Sequence, residues 1–109
     1  MNIQFKKGVL ELCVLALLDQ GDRYGYDIAA AFSEKIQISD GTVYPILRRL
    51  LSDGMLSSYL KESSEGPPRK YYAITDSGRQ FKSLLTEEWF RFSRQVSGMI
   101  NGEEETIIL

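Results

Sequence analysis

The sequence predicts a mainly α-helical fold carrying a two-stranded β-hairpin. Two observations predict it. Four stretches have the apolar content or spacing of packed helices, and between residues 55 and 75 the period changes to short runs with aromatic and β-branched members around a Gly-Pro-Pro segment. At 109 residues the chain has the length of one domain with a modest core.

From Gly8 to Leu18 the residues are apolar nearly all round: Val9, Leu10, Leu12, Cys13, Val14, Leu15, Ala16, Leu17 and Leu18. In so short a chain such a helix needs two partners to cover it. Asp19-Gln20-Gly21-Asp22 ends it, with Gly21 expected as a left-handed cap. Tyr24 to Lys35 reads as a second helix, with Ile28, Ala29, Ala31 and Phe32 on one face. After a linker at 36–40, Val43, Ile46, Leu47, Leu50 and Leu51 form the stripe of a third, capped by Ser39 or Asp40. From either cap Pro45 removes one backbone hydrogen bond and should bend the helix.

Met55 to Lys61 and Arg69 to Thr75 read as the hairpin strands, joined by a longer loop at 62–68. Thr75-Asp76 caps a final helix whose stripe is Phe81, Leu84, Leu85, Trp89, Phe92, Val96 and Met99, fraying near Gly98 and Gly102. The order helix, helix, helix, hairpin makes a winged helix-turn-helix over residues 1–75. A C-terminal dimerisation helix follows at 76–100, then a flexible tail at 101–109. The fourth helix needs something to bury its stripe, and the first has apolar surface to spare. Packing Phe81, Leu85, Phe92 and Val96 of one subunit against Val9, Leu12, Cys13 and Ala16 of another meets both needs. A two-fold homodimer would set its third helices about 34 Å apart, or a multiple of that.

Net charge is −2 and the sequence pI about 5.1. The acid is unevenly placed: residues 1–82 hold 11 basic and 10 acidic side chains, and residues 83–109 hold 2 and 5. Within the first part, Arg48 and Arg49 lie on the polar side of the third helix, Lys61 ends one wing strand, and Arg69 and Lys70 begin the other. A phosphate surface needs only such a local positive face, since Lys and Arg displace condensed counterions there. Thr42 and Tyr44, in the first turn of the third helix, are candidates for reading base edges; Tyr44 could equally pack on the second helix. Tyr24, Gly25 and Ser39 stand at helix N-termini, where backbone amides suit phosphate. The expected partner is double-stranded DNA.

The chain has no histidine and one cysteine, Cys13. No Ser-His-Asp or Cys-His triad and no Cys/His zinc site can be assembled, and no disulfide can form within the chain. No catalytic residue, metal or cofactor is expected, and the protein reads as no enzyme. No apolar run approaches the roughly 20 residues of a membrane helix, and residues 1–7 lack the order of a secretory leader. A cytoplasmic location without membrane contact is the expectation.

Several motifs resemble one family. Lys7-Gly8-Val9-Leu10-Glu11-Leu12 with Val14 to Leu18, Tyr24-Gly25-Tyr26-Asp27-Ile28, the stretch from Ser39 to Leu50, Asp53-Gly54-Met55-Leu56, and Gly66-Pro67-Pro68-Arg69-Lys70-Tyr71-Tyr72-Ala73-Ile74-Thr75 with Gly78 are similar, in order and spacing, to PadR-family transcriptional regulators. The resemblance covers about residues 6 to 79. It implies a homodimeric repressor on an inverted-repeat operator, dimerised by its C-terminal helix. Some compact members bind flat aromatic drugs at the dimer interface against a tryptophan, which implies a small planar aromatic effector and gives Trp89 as the comparable residue. Trp89 could instead belong to a packed interface with Phe90 and Phe92. A winged-helix adaptor that binds protein rather than DNA is the alternative reading.

Overall fold

A computed structural model describes residues 3–102, with side chains from Gly8 onward. The expected tail therefore lies, beyond Gly102, outside the described residues. The element order is α1 (Ile3–Asp19), β1 (Arg23–Tyr24), α2 (Gly25–Ile36), α3 (Asp40–Ser52), β2 (Leu56–Ser63), β3 (Gly66–Ile74) and α4 (Asp76–Asn101).

Burial splits α1 lengthwise. Leu10, Val14, Leu15 and Leu18 enter the core, whereas Val9, Leu12, Cys13, Ala16 and Leu17 stay partly exposed. The core is completed by Ile28, Ala29 and Phe32 of α2, Val43, Ile46, Leu47 and Leu50 of α3, and Leu56, Tyr72 and Ile74 of the sheet. Each large aliphatic side chain buried here contributes about 1.5–3 kcal/mol. The Ile28, Leu47 and Leu50 side chains therefore hold α2 and α3 together far more firmly than the short linker does.

The element ends show which local forces win. α1 closes through Gln20 N–H to Leu17 O and Gly21 N–H to Leu18 O, at 3.3 and 3.1 Å, a tightened last turn. Gly21 sits at φ 153°, so it is not the left-handed cap expected of it. That role falls to Gln37 at the end of α2, with φ 57°; its N–H and that of Ile38 both bond Phe32 O. Ser39 is the N-cap of α3 by backbone geometry, but its side chain bonds no amide. Pro45 lies inside α3, where it has no N–H to give Gly41.

The sheet has three antiparallel strands in the order β1-β3-β2, one more than expected. β1 is only two residues, Arg23 and Tyr24 paired with Tyr72 and Tyr71, too short to leave a period-2 signal. The wing itself is longer and its tip tighter than expected. β2 and β3 run to Ser63 and from Gly66, leaving Ser64-Glu65 as the turn, with a bulge between Lys61 and Ser63. Pro67 and Pro68 are accommodated in two ways: they fall in the bulge, two residues opposite Glu62 with no register partner, and β1 covers β3 only at its far end, which leaves the outer edge open.

Thr75 joins wing to α4. Its Oγ1 accepts from Gly78 N–H at 3.0 Å and donates to Gly54 O at 2.7 Å, and its N–H donates to Met55 O at 3.1 Å. α4 then packs along α1. Asp19, at the end of α1, accepts from Lys82 Nζ at 2.9 Å and Arg79 Nε at 3.3 Å, fixing the start of α4.

Candidate nucleic-acid interface

The wing shaft is built by register. Tyr59 faces Tyr71 and Lys61 faces Arg69 across β2 and β3, and Tyr24 of β1 faces Tyr71 from the other side. Because side chains alternate along a strand, these five residues share one face of the sheet. Their rings form a continuous array: Tyr59 and Tyr71 centroids are 5.7 Å apart, Tyr71 and Tyr24 6.0 Å, and Tyr24 and Tyr26 6.2 Å. The Arg69 guanidinium lies 5.0 Å from the Tyr24 ring centroid and the Lys61 ammonium 5.2 Å from that of Tyr71. On the opposite face Lys70 stands 5.4 Å from the Tyr72 ring centroid. The Tyr59 hydroxyl donates to Asp22 Oδ2 at 2.7 Å, and that bond raises the phenol above its ordinary range.

Lys61, Arg69 and Lys70 are exposed, and none is in an ion pair among the described residues. Arg48 on α3 is likewise exposed and in no ion pair among the described residues. Arg49 is different. It turns back to Glu11 of α1, with both Nε and Nη2 on one carboxylate oxygen, so its charge is spent inside the fold. The sequence pattern could not separate these neighbours, since both fall on the polar side of the stripe.

At the head of α3, Ser39 and Thr42 are exposed with their hydroxyl oxygens 3.5 Å apart. Tyr44 is half-buried and packs on the core. Burial, then the nearby Asp40 carboxylate, push its phenol up. Gly25 explains the crowding there: a Cβ would lie 3.1 Å from Tyr72 Cε1 and 3.7 Å from Tyr44 Cε1. Gly25 itself is buried, whereas Tyr24 keeps partial exposure as N-cap of α2. The structure thus brings Tyr24, Lys61 and Arg69 together, and gathers Gly25, Tyr44 and Tyr72 at the base of the wing. Tyr26, Tyr59 and Tyr71 are surface features that sequence reasoning missed. The signal for Tyr59 and Tyr71 was the period-2 spacing of Tyr59 from Lys61 and of Arg69 from Tyr71; Tyr26, on α2, left none of that kind.

A second feature lies between α1 and α4, an apolar groove of about 310 Å³ lined by Gly8, Val9, Leu12, Leu85, Glu88, Trp89 and Phe92. Four of the residues expected at a dimer interface, Val9, Leu12, Leu85 and Phe92, thus surround Trp89. Cys13 is elsewhere, in a smaller groove with Leu17, Phe32 and Ile36, and burial raises its thiol. Phe81 and Leu85 pack against the core from within the same chain, Ala16 is half-buried, and Val96 is exposed. Leu84, Phe92, Met99 and Ile100 add exposed apolar surface to α4. Among the described residues there is no metal-binding group of carboxylates and cysteine, and no helix long and apolar enough to cross a membrane.

The family model described as the transcriptional regulator PadR-like family matches residues 14–83, from α1 through the wing into α4. The chain belongs to the PadR-like family of transcriptional regulators. Proteins of known structure share its architecture. A protein of Streptococcus mutans UA159 has a TM-score of 0.82 at 36% identity, over 91% of this chain and 92% of its own. A PadR-like regulator of Bacillus cereus has a TM-score of 0.80 at 36% identity, over 92% and 99%. The negative transcriptional regulator PadR of Bacillus subtilis is 32% identical over 76 residues, 66% of this chain but only 42% of that protein. Bacillus subtilis PadR in complex with operator DNA has a TM-score of 0.63 at 29% identity, over 75% of this chain and 46% of that one. The PadR family consists of DNA-binding transcriptional regulators rather than enzymes.

Proposed function

We propose that this PadR-like chain is a cytoplasmic homodimeric repressor that grips an inverted-repeat DNA operator with α3 and the wing. A small planar aromatic ligand in the α1–α4 groove relieves repression. One observation carries the DNA reading. Lys61 and Arg69 stand directly opposite each other across β2 and β3, unpaired by any carboxylate among the described residues. Like charges directly opposite in a sheet repel, and a polyanion turns that repulsion into attraction. Lys61, Arg69, Lys70 and Arg48 would meet phosphates, with Tyr24 and Gly25 adding backbone amides at the head of α2. Thr42 and Tyr44, with Ser39 beside them, would approach base edges.

The Bacillus subtilis protein is a negative regulator and is found on operator DNA, which supports the same roles here. The homodimer is supported by the exposed apolar surface of α4 and the half-covered side of α1, and the ligand by the groove around Trp89. The test is a gel-shift titration with the duplex upstream of the chain's own gene, repeated from about 50 to 200 mM salt. A repressor of this design loses affinity steeply over that range. Binding without salt dependence, or no binding, would instead leave a winged-helix adaptor for protein partners.

A further inference from the structure

We infer that Tyr24 and Tyr71 are positioning residues that hold Arg69 and Lys61 ready for phosphate without neutralising them. This rests on the DNA reading above and adds a role for the rings beneath the cations. Long basic side chains on an exposed hairpin sample many rotamers, and ordering them opposes binding. A carboxylate would order them but consume the charge, as Glu11 does for Arg49. A ring face attracts a cation through its quadrupole, keeps the full positive charge and leaves the N–H donors that point away from the ring available.

The wing applies this device three times. Arg69 lies over Tyr24, Lys61 over Tyr71 and Lys70 over Tyr72, at 5.0, 5.2 and 5.4 Å from the centroids, and none is in an ion pair among the described residues. The rings are themselves braced. Tyr24 and Tyr71 are register partners across β1 and β3, and Tyr71 stacks on Tyr59, whose hydroxyl is tied to Asp22. The two-residue strand β1 therefore acquires a purpose: it brings Tyr24 to the side of β3 on which Arg69 projects.

The test uses the full chain and a mixed-sequence duplex of about 30 base pairs, followed by fluorescence anisotropy over a salt series. Tyr24→Leu is expected to weaken binding about two- to five-fold with the salt slope unchanged. Tyr24→Phe is expected to bind as the native chain does. In the free protein, Arg69 side-chain protons should resonate upfield, and Tyr24→Leu should return them to random-coil positions. Should Tyr24→Leu fail to fold, pentafluorophenylalanine at position 24 keeps the ring's shape, removes its attraction for a cation, and carries the same expectations. Native affinity in the ring-deficient variant, unshifted Arg69 protons in the native chain, or a slope lowered as much as by Arg69→Ala would each overturn the inference. An Arg69→Ala variant with native affinity and slope would instead overturn the DNA reading itself.

Discussion

Arg49 of α3 closes on Glu11 of α1, donating from Nε at 3.0 Å and from Nη2 to the same carboxylate oxygen. Glu11 is 15% and Arg49 31% exposed, so the pair is partly withdrawn from water and links two core helices 38 residues apart in sequence. Arg49→Ala would strand a half-buried carboxylate and should cost about 1–3 kcal/mol in urea unfolding. Its neighbour Arg48 should behave oppositely, with unchanged stability in Arg48→Ala but a shallower salt dependence of DNA binding. Equal effects from the two variants would show that the Glu11 contact does not set them apart.

Gly78 marks a close backbone approach between α4 and the segment that follows α3. A Cβ there would sit 2.1 Å from Met55 O and 2.8 Å from Ile74 Cγ1, and Met55 O already accepts from Thr75 N–H. Gly78→Ala must push α4 away from the end of α3 and the sheet. A loss of about 2 kcal/mol or more is expected from thermal or urea unfolding. A native melting temperature would mean that α4 moves without resistance.

Asp19 makes the α1–α4 junction sensitive to acid. The Lys82 hydrogen bond is the largest influence on its carboxyl; desolvation opposes it, and the Lys82 charge with the Arg79 hydrogen bond and charge tip the balance, holding the group below its usual range. A depressed folded-state pKa stabilises above the unfolded value, near 3.9, and that stability disappears as pH falls through the folded one. Melts between about pH 6 and 3 should show this loss only in the acidic half of the range. Asp19→Asn should be less stable at neutral pH and lose less on acidification.

Arg69→Ala should weaken binding to every duplex and lower the salt slope by about 1. Thr42→Ala should instead relax preference at one operator position, by about 1 kcal/mol or more per half-site, with the slope intact. Competition titrations over a panel of single-base operator variants separate the two behaviours. A uniform loss in Thr42→Ala would remove Thr42 from base reading.

Trp89 is the chain's one tryptophan, so its fluorescence reports the groove without interference. Planar aromatic compounds should quench it saturably and weaken operator binding in parallel. Leu12→Phe, which fills the groove from the α1 side and leaves Trp89 the one tryptophan, should abolish both effects. Failure to quench across a broad panel would remove the ligand from the proposal.

Strong, repeated spacing was legible in the sequence. The α3 stripe of Val43, Ile46, Leu47 and Leu50 and the paired runs of the hairpin reappear as core and wing, because burial of one face dominates both. What escaped depended on contacts distant in sequence. β1 exists only because Tyr71 and Tyr72 are there to pair with it. Arg49 differs from Arg48 only because Glu11 lies within reach. The wing loop was overestimated because Pro67 and Pro68 read as breakers, and the bulge opposite Glu62 together with the open outer edge of β3 makes them admissible. Gly21 departs from its expected role: the last turn of α1 closes on i to i−3 hydrogen bonds, and Gly21 takes a φ of 153° rather than the value of about 57° of a left-handed cap.

The length of α4 has a mechanical consequence. Its 26 residues make a rod of about 39 Å, pinned near its start by Asp19 and resting on α1 through Leu85, Trp89 and Phe92. Rotating such a rod by about 5° about its pinned end carries the far end about 3.4 Å, the rise of one base pair. In the proposed dimer, two such arms set the separation of the two reading heads. A wedge between Val9 and Trp89 therefore need not disturb the wing or α3 at all. A change of a few degrees in arm angle puts two intact reading heads out of step with the DNA.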